Sequence, residues 1–194
     1  RPTGDSVTAR LDVVVVNWNA GALVAACLDS LVAADRGDGM LRIIVVDNAS
    51  TDGTPKYLRH LAANDSRVRL VLNSENCGFA AANNQGLATA RGEVLVLLNN
   101  DTELSPGWHV PLLAHLTDQS VGLVGPRSDN VGNGALIEVP ARFADDHDGF
   151  TCELRRKHTG EAFDIQMLAM FCVAMRRDAY AAAGPLDEGY GVGL

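Results

Sequence analysis

Residues 94–104 read VLVLLNNDTEL: Val94, Leu95, Val96, Leu97 and Leu98 run directly into Asn99, Asn100 and Asp101. An uninterrupted apolar run of this kind, rich in Val and Leu and closed by polar residues, predicts a strand buried on both faces. Three more runs follow the same plan: LDVVVVNWN at 11–19, LRIIVVDNAS at 41–50 and RVRLVLNSEN at 67–76, each ending in Asn or Asp. Four strands that exchange apolar residues for amides and carboxylates at the same end ask for one common cause.

Between these runs the period changes to that of a helix. In residues 21–34, Leu23, Cys27, Leu31 and Ala34 fall on one apolar side. Residues 50–64 offer Pro55 for a first turn and then Tyr57, Leu58 and Leu61 on one side. Residues 78–92 are rich in small side chains, 106–118 follow the opening strand, and the apolar stretch VGLVGP at 121–126 continues the alternation. Strand and helix in turn, with short connections, predict right-handed βαβ units and a largely parallel sheet. Residues 164–184 begin as an apolar run and then read as a short helix ended by Gly184 and Pro185; they are expected to add strands to one edge, making the sheet mixed. Residues 127–163 show little periodicity and predict long loops that could include a lid.

Ligands of such sheets bind outside the carboxyl ends of the strands, near the point where strand order reverses. That placement supplies the common cause for the polar strand ends. Alternation along a strand sends Asn99 and Asp101 one way and Asn100 the other, and puts Asn17 and Asn19 on a shared face. The crevice is dominated by amides, from Asn17, Asn19, Asn48, Asn73, Asn76, Asn83, Asn84, Asn99 and Asn100, with Asp47 and Asp101 as its few carboxylates. Uncharged donors and acceptors read a nucleobase and sugar hydroxyls without repelling a diphosphate. A hard divalent cation, Mg2+ or Mn2+, would then neutralise the phosphates, and Asp101 is the obvious protein ligand for it.

Composition narrows the alternatives. In 194 residues, 16 Lys and Arg stand against 24 Asp and Glu, for a net charge of −8, which disfavours nucleic acid or an anionic membrane surface as the main partner. No apolar stretch is long enough to span a membrane, and the first ten residues carry no apolar signal core, so the chain is expected to be cytoplasmic. Cys27, Cys77, Cys152 and Cys172 are scattered, with no CxxC pair, and read as reduced, packed thiols. No G-x-G-x-x-G follows the first strand, and neither a P-loop nor a G-x-S-x-G elbow occurs, which demotes dinucleotide dehydrogenases, P-loop enzymes and α/β serine hydrolases.

Taken together, VVVVNWNAGALVAACLDSL, IIVVDNASTDGT, NCGFAAANNQGLATARGEVLVLLNNDTELSPGW and VGLVGPRSDN resemble the family 2 glycosyltransferases of the GT-A fold, in particular the rhamnosyltransferase-like members that build surface polysaccharides. The resemblance implies a Rossmann-like α/β domain over 11–194 behind a tail at 1–10, with a nucleotide-sugar-binding half at 11–126 and an acceptor-side half at 127–194. It implies inverting transfer of a sugar from a nucleotide diphosphate donor, a dTDP- or UDP-sugar, to the hydroxyl of a saccharide or lipid-linked saccharide; a lipid-linked acceptor would place the enzyme peripherally at the inner face of a membrane. Carried over by motif, Asp47 is similar to the aspartate that contacts the base, with Asn17 and Asn19 lining that pocket. The NND at 99–101 stands where the family has DxD, so Asp101 would hold the metal, while Asn99 replaces the first aspartate and, with Asn100, would contact ribose or donor sugar. Gly78 and Asn83 resemble the helix that closes over base and sugar. The catalytic base is expected in an acidic motif just beyond Leu194, so the chain reads as a piece truncated before it. Asp187 and Glu188 are then acceptor-side or structural.

Each residue also has a purely structural reading. Asp101 and Asp47 could be helix or turn caps, and Asp52 with Gly53 fits turn chemistry. Asn83 and Asn84 could be bonded within their own helix, and Trp18 could be core as readily as a stacking platform. The acidic stretch ADDHDG at 144–149 offers Asp145, Asp146, His147 and Asp148 to a second metal but reads more readily as a solvated loop, and ELRRKHTG at 153–160 reads as a surface loop, with contact to an anionic acceptor as its alternative. His109 and His115 lie on different helix faces. Two other functions stay open: a non-catalytic nucleotide-sugar-binding module, and a nucleotidyltransferase, which would need a basic glycine-rich loop after the first strand.

Overall fold

A computed structural model describes residues 9–34 and 41–191; most of the expected tail at 1–10 lies outside them. The elements run β1 (Leu11–Asn17), α1 (Ala22–Ala34), β2 (Leu41–Asp47), α2 (Thr54–Asn64), β3 (Val68–Leu72), α3 (Phe79–Thr89), β4 (Val94–Asn99), α4 (His109–His115), β5 (Leu123–Val124), α5 (His147–Lys157), β6 (Cys172–Arg176) and α6 (Arg177–Ala183), with 3-10 turns at Ala141–Phe143 and Glu188–Tyr190. The strands form one six-stranded sheet in the order β3-β2-β1-β4-β6-β5. β1 is parallel to β2 and β4, and β2 to β3; β6 is antiparallel to both β4 and β5. The α/β, mostly parallel and mixed sheet expected of the sequence is what the chain forms.

Right-handed crossovers decide which helix covers which face. From β1 to β3 the chain steps one way along the sheet, and α1 and α2 pack on one face, where Val24, Cys27, Leu28, Leu31 and Leu58 meet Val13, Val15, Ile43 and Val45. The step from β3 back past β1 to β4 reverses direction, so α3 crosses the other face, where Leu87 joins Val14, Ile44, Leu95 and Leu97. The strands β1, β2 and β4 are buried on both faces as their unbroken apolar runs require, and each such side chain contributes about 2 kcal/mol over an exposed position. α3 lies so close to the sheet that a Cβ on Gly86 would stand 2.4 Å from Val14 Cγ1. At the amino end, the buried Asp12 carboxylate accepts the Arg91 and Gly92 N–H groups and pairs with Arg42, tying the turn before β4 to β1.

Several expectations are corrected. β3 is an edge strand: only Val68 is fully buried, because nothing pairs beyond it. The stretch at 121–126 does not continue the parallel alternation; only Leu123 and Val124 form a strand, antiparallel to β6 at the far edge, while β6 itself lies inside the sheet between β4 and β5. On α1 the buried face is Val24, Cys27, Leu28, Leu31 and Ala34, and Leu23 points outward, 56% exposed. The loops expected at 127–163 contain α5, capped by Asp146, whose Oδ1 accepts the Gly149 N–H at 2.8 Å. That helix buries no residue completely, so it leaves no apolar stripe to read. Cys152 is exposed and not packed. Among the described residues no helix is long and apolar enough to cross a membrane.

Candidate functional site

Strand order reverses between β1 and β4, and register sets their polar ends side by side: Asn17 is level with Asp47 on β2, and Val16 with Asn99 on β4. Asn17 is fully buried, and its amide is the hub. Its Nδ2 donates to Asp47 Oδ1 at 2.8 Å and to Ser50 Oγ and Thr54 Oγ1, both at 3.1 Å, so two hydrogens serve three oxygens. Across the switch point its Oδ1 accepts from Asn100 Nδ2 at 3.3 Å. Asp47, 2% exposed, also accepts the Ser50 N–H on Oδ2 at 3.1 Å, closing a turn over its own strand end.

The loops after β1 and β2 are pinned to each other. Asn19, exposed and left-handed with φ 50°, accepts the Thr51 N–H on Oδ1 at 2.7 Å and donates its own N–H to Ser50 Oγ at 2.9 Å. Asn17 and Asn19 therefore share a neighbourhood but not a strand face. Ala49 is also left-handed, at φ 64°, a conformation that costs a non-glycine residue about 1 kcal/mol or more and persists only where its surroundings fix it. Asp52 works as turn chemistry: it accepts the Thr54 N–H and hydroxyl on Oδ1 and the Gly21 N–H on Oδ2. The Thr54 hydroxyl, with these N–H donors, holds the Asp52 carboxyl below the ordinary carboxylate range.

A second amide network continues toward α3. Asn48, 2% exposed, donates to Asn76 Oδ1 at 2.6 Å and accepts from Asn73 Nδ2 at 3.0 Å and from the Cys77 N–H at 3.1 Å. Asn73 Nδ2 reaches Gln85 Oε1 on α3 at 2.8 Å. Gly78 opens α3 with φ 89°, a backbone state that favours glycine there. Asn83 is buried and donates to Phe79 O at 2.9 Å, the bond within its own helix. Asn84 leaves its helix instead: Oδ1 accepts the Leu186 N–H and Nδ2 donates to Leu186 O, both at 2.9 Å, and to Glu188 Oε1 at 2.8 Å. Asp187 caps the following turn by accepting the Gly189 N–H at 2.9 Å.

β4 stops at Asn99, and Asn100 and Asp101 lie in a turn closed by Thr102 N–H to Asn99 O at 3.3 Å. The strand alternation expected through Asp101 therefore ends two residues earlier, at Asn99, and Asn100, not its neighbours, faces Asn17. Asp101 is exposed and makes no side-chain hydrogen bond among the described residues, so it caps nothing, and α4 begins only at His109. Beneath this turn Cys27 donates to Asn99 O at 3.4 Å; burial, and less so the charges of Asp101 and Glu103, push its thiol up to about 12. Trp18 is 54% exposed and so is not core. Ser50, Thr54 and Gln85 were not singled out from sequence; the Ser and Thr spacing in NASTDGT, directly after a buried strand, is the signal that marks the first two.

The sequence pattern described as glycosyl transferase family 2 matches residues 12–183. The chain is 28% identical to the pre-mycofactocin glycosyltransferase of Mycobacterium tuberculosis over 96% of its own length and 37% of that protein. It is 24% identical to glycosyltransferase AglE of Haloferax volcanii over 92% of its length and 56% of that protein. In structure it resembles the mannosyltransferase PcManGT of Pyrobaculum calidifontis, solved with GDP-Man and Mn2+, with TM-score 0.70 and 27% identity over 96% of this chain and 50% of that one. The chain thus spans about half or less of these proteins' lengths. A family pattern that covers nearly the whole chain, on a GT-A sheet whose polar strand ends converge at the switch point, makes this chain a member of glycosyl transferase family 2.

Proposed function

We propose that the chain carries the donor site of an inverting sugar transfer, from a nucleotide diphosphate sugar to an acceptor hydroxyl. The observation that carries the reading is the junction of Asn17, Asp47 and Asn100 at the β1–β4 reversal, with Asp101 exposed directly beside it. In this reading Asn17, Asn19 and Asp47 line the base and ribose side; Asp47 holds the wall in place with two bonds and keeps acceptor capacity on its remaining lone pairs. Gly78 and Asn83 at the head of α3 border the base and sugar, and Asn99 and Asn100 the donor sugar. Asp187 and Glu188 stand on the acceptor side.

A divalent cation fits the donor set. Asp101 is exposed and its carboxylate makes no side-chain hydrogen bond among the described residues, so its oxygens are open to an ion whose other ligands are phosphate oxygens and water. Mg2+ or Mn2+ there would supply Lewis-acid stabilisation of the charge that gathers on the diphosphate. The chain's own task is orientation: the two pinned loops fix the nucleotide, and the turn at 99–102 fixes the diphosphate end. The acceptor oxygen then bonds to the anomeric carbon from the face opposite the leaving group. The bond from that carbon to phosphate breaks with its electron pair, and the hydroxyl proton passes to a base. The donor is proposed to be a dTDP- or UDP-sugar and the product a surface polysaccharide or glycoconjugate, as in the rhamnosyltransferase-like branch, made in the cytoplasm at a membrane's inner face when the acceptor is lipid-linked.

Calorimetric titration of UDP, dTDP and GDP, with Mn2+ and with chelator, tests this reading. Tight binding of one nucleotide that needs both metal and Asp101 is expected, with Asp101→Ala weakening it at least about tenfold. Binding indifferent to both would remove the diphosphate from the 99–101 turn.

A further inference from the structure

Away from the switch point, a cleft of about 230 Å³ opens between residues 127–140 and α5. Its lining includes Phe150 and Leu154, an apolar surface suited to the face of a sugar ring. Its lining sets Arg127, Arg142 and Lys157 against Glu138 and Glu153, a small local excess of positive charge in a protein whose net charge is −8. Arg142 Nη2 at 2.9 Å and Lys157 Nζ at 2.5 Å share one oxygen of Glu153, so one carboxylate stands between two cations. Arg127 spends Nη2 on Leu136 O at 2.7 Å and has no carboxylate partner among the described residues. Glu138 and Glu153, also lining the cleft, offer oxygens to hydroxyl groups. A bare anion would use only the cations and a neutral sugar only the apolar side chains and the carboxylates; a saccharide that carries a carboxylate or phosphate uses all of them.

The cleft is joined to the candidate donor site through α5. Thr151 Oγ1 donates to Ser105 Oγ at 3.2 Å and Arg155 Nη1 to Pro106 O at 2.8 Å, on the loop that follows Asp101. We propose that this cleft binds an anionic saccharide, and, resting on the transfer reading above, that this saccharide is the acceptor, gripped by Arg127, Arg142 and Lys157 through its charged group.

Calorimetry with D-glucuronate and glucose 1-phosphate as probes, and with glucose and inorganic phosphate as controls, tests the site on the full chain. One or both anionic sugars should bind saturably in the millimolar range, at least about tenfold tighter than glucose or phosphate. Arg127→Gln and Lys157→Gln should each weaken binding about fivefold, and Asp101→Ala should leave it unchanged. Lys157 ends an exposed helix, so its variant keeps the fold and decides the case should Arg127→Gln loosen the loop it braces. No saturable binding, equal binding of glucose, equal binding of inorganic phosphate, no effect of Lys157→Gln, or loss in Asp101→Ala would each overturn the proposal. A UDP titration of the same protein reads the donor site separately, so either site can fail while the other stands.

Discussion

Asn84 grips Leu186 from both sides: its Oδ1 accepts the Leu186 N–H and its Nδ2 donates to the Leu186 carbonyl, each at 2.9 Å, between residues 102 positions apart. The same Nδ2 donates to Glu188 at 2.8 Å, so one side chain sets the path of the segment that carries Asp187 and Glu188. Asn84→Ala should cost about 1–3 kcal/mol in urea unfolding and raise hydrogen exchange at Leu186. Asn84→Asp should cost more, because it sets a carboxylate against Leu186 O and Glu188. Adding Glu188→Gln, which supplies an N–H to that carboxylate, should recover part of the loss; an additive double variant would deny the contact.

Asp47 serves two donors, Asn17 Nδ2 and the Ser50 N–H, at a buried strand end. Asp47→Ala orphans both and should lower stability by about 2–4 kcal/mol while abolishing nucleotide binding. Asp47→Asn keeps an acceptor for one donor but sets its own N–H2 against the other, and should fall between wild type and Ala in both readouts. Wild-type stability in Asp47→Ala would mean that the pair does not hold the wall.

Gly86 faces Val14 across the α3–sheet contact, where an added Cβ would stand 2.4 Å from Cγ1. In an exposed helix, Gly to Ala stabilises by up to about 1 kcal/mol. Here Gly86→Ala should instead cost about 1–3 kcal/mol through overpacking. Val14→Ala in the same chain opens the needed space, so the double variant should be more stable than the sum of the two single effects predicts.

Burial, first of all causes, pushes the thiols of Cys27 and Cys172 from 9.0 up to about 12. A folded-state value raised above the unfolded one stabilises the fold fully below the unfolded value and loses that contribution as pH rises through the folded one. Unfolding free energy should therefore fall between about pH 9 and 12 through these two groups, and less in Cys27→Ala than in wild type. At pH 8, iodoacetamide should label the exposed Cys152 in the native protein and reach Cys27 and Cys172 only after denaturation.

Much of this architecture could be read from runs such as VVVVN and VLVLLN, because a strand buried on both faces must be apolar at every position until it leaves the sheet. The edge strands were harder, since β3 and β5 have one open side and need no such run. α5 was hidden for the opposite reason: it buries nothing completely and ends in Arg155, Arg156 and Lys157, so its sequence carries charge where a periodic apolar face would have shown. At the site, the chain positions of Asn17, Asp47 and Asp101 were legible and their partners were not. Which amide bonds which depends on loop paths fixed by the left-handed Asn19 and Ala49, neither of them a residue that announces such a backbone state as glycine does.

The strand order also bears on how the chain folds. Asn17 finds Asp47 across 30 positions, within the first βαβ unit, but finds Asn100 across 83, after two further helices have crossed the sheet. Closing the longer loop costs about 0.9 kcal/mol more in chain entropy, before any ordering of the intervening elements is counted. The half of the crevice built from β1 and β2 can therefore form early and locally. The other half arrives only when β4 docks, so a folding intermediate that lacks β4 would hold the Asn17–Asp47 pair with its amide still turned to water and no Asp101 beside it.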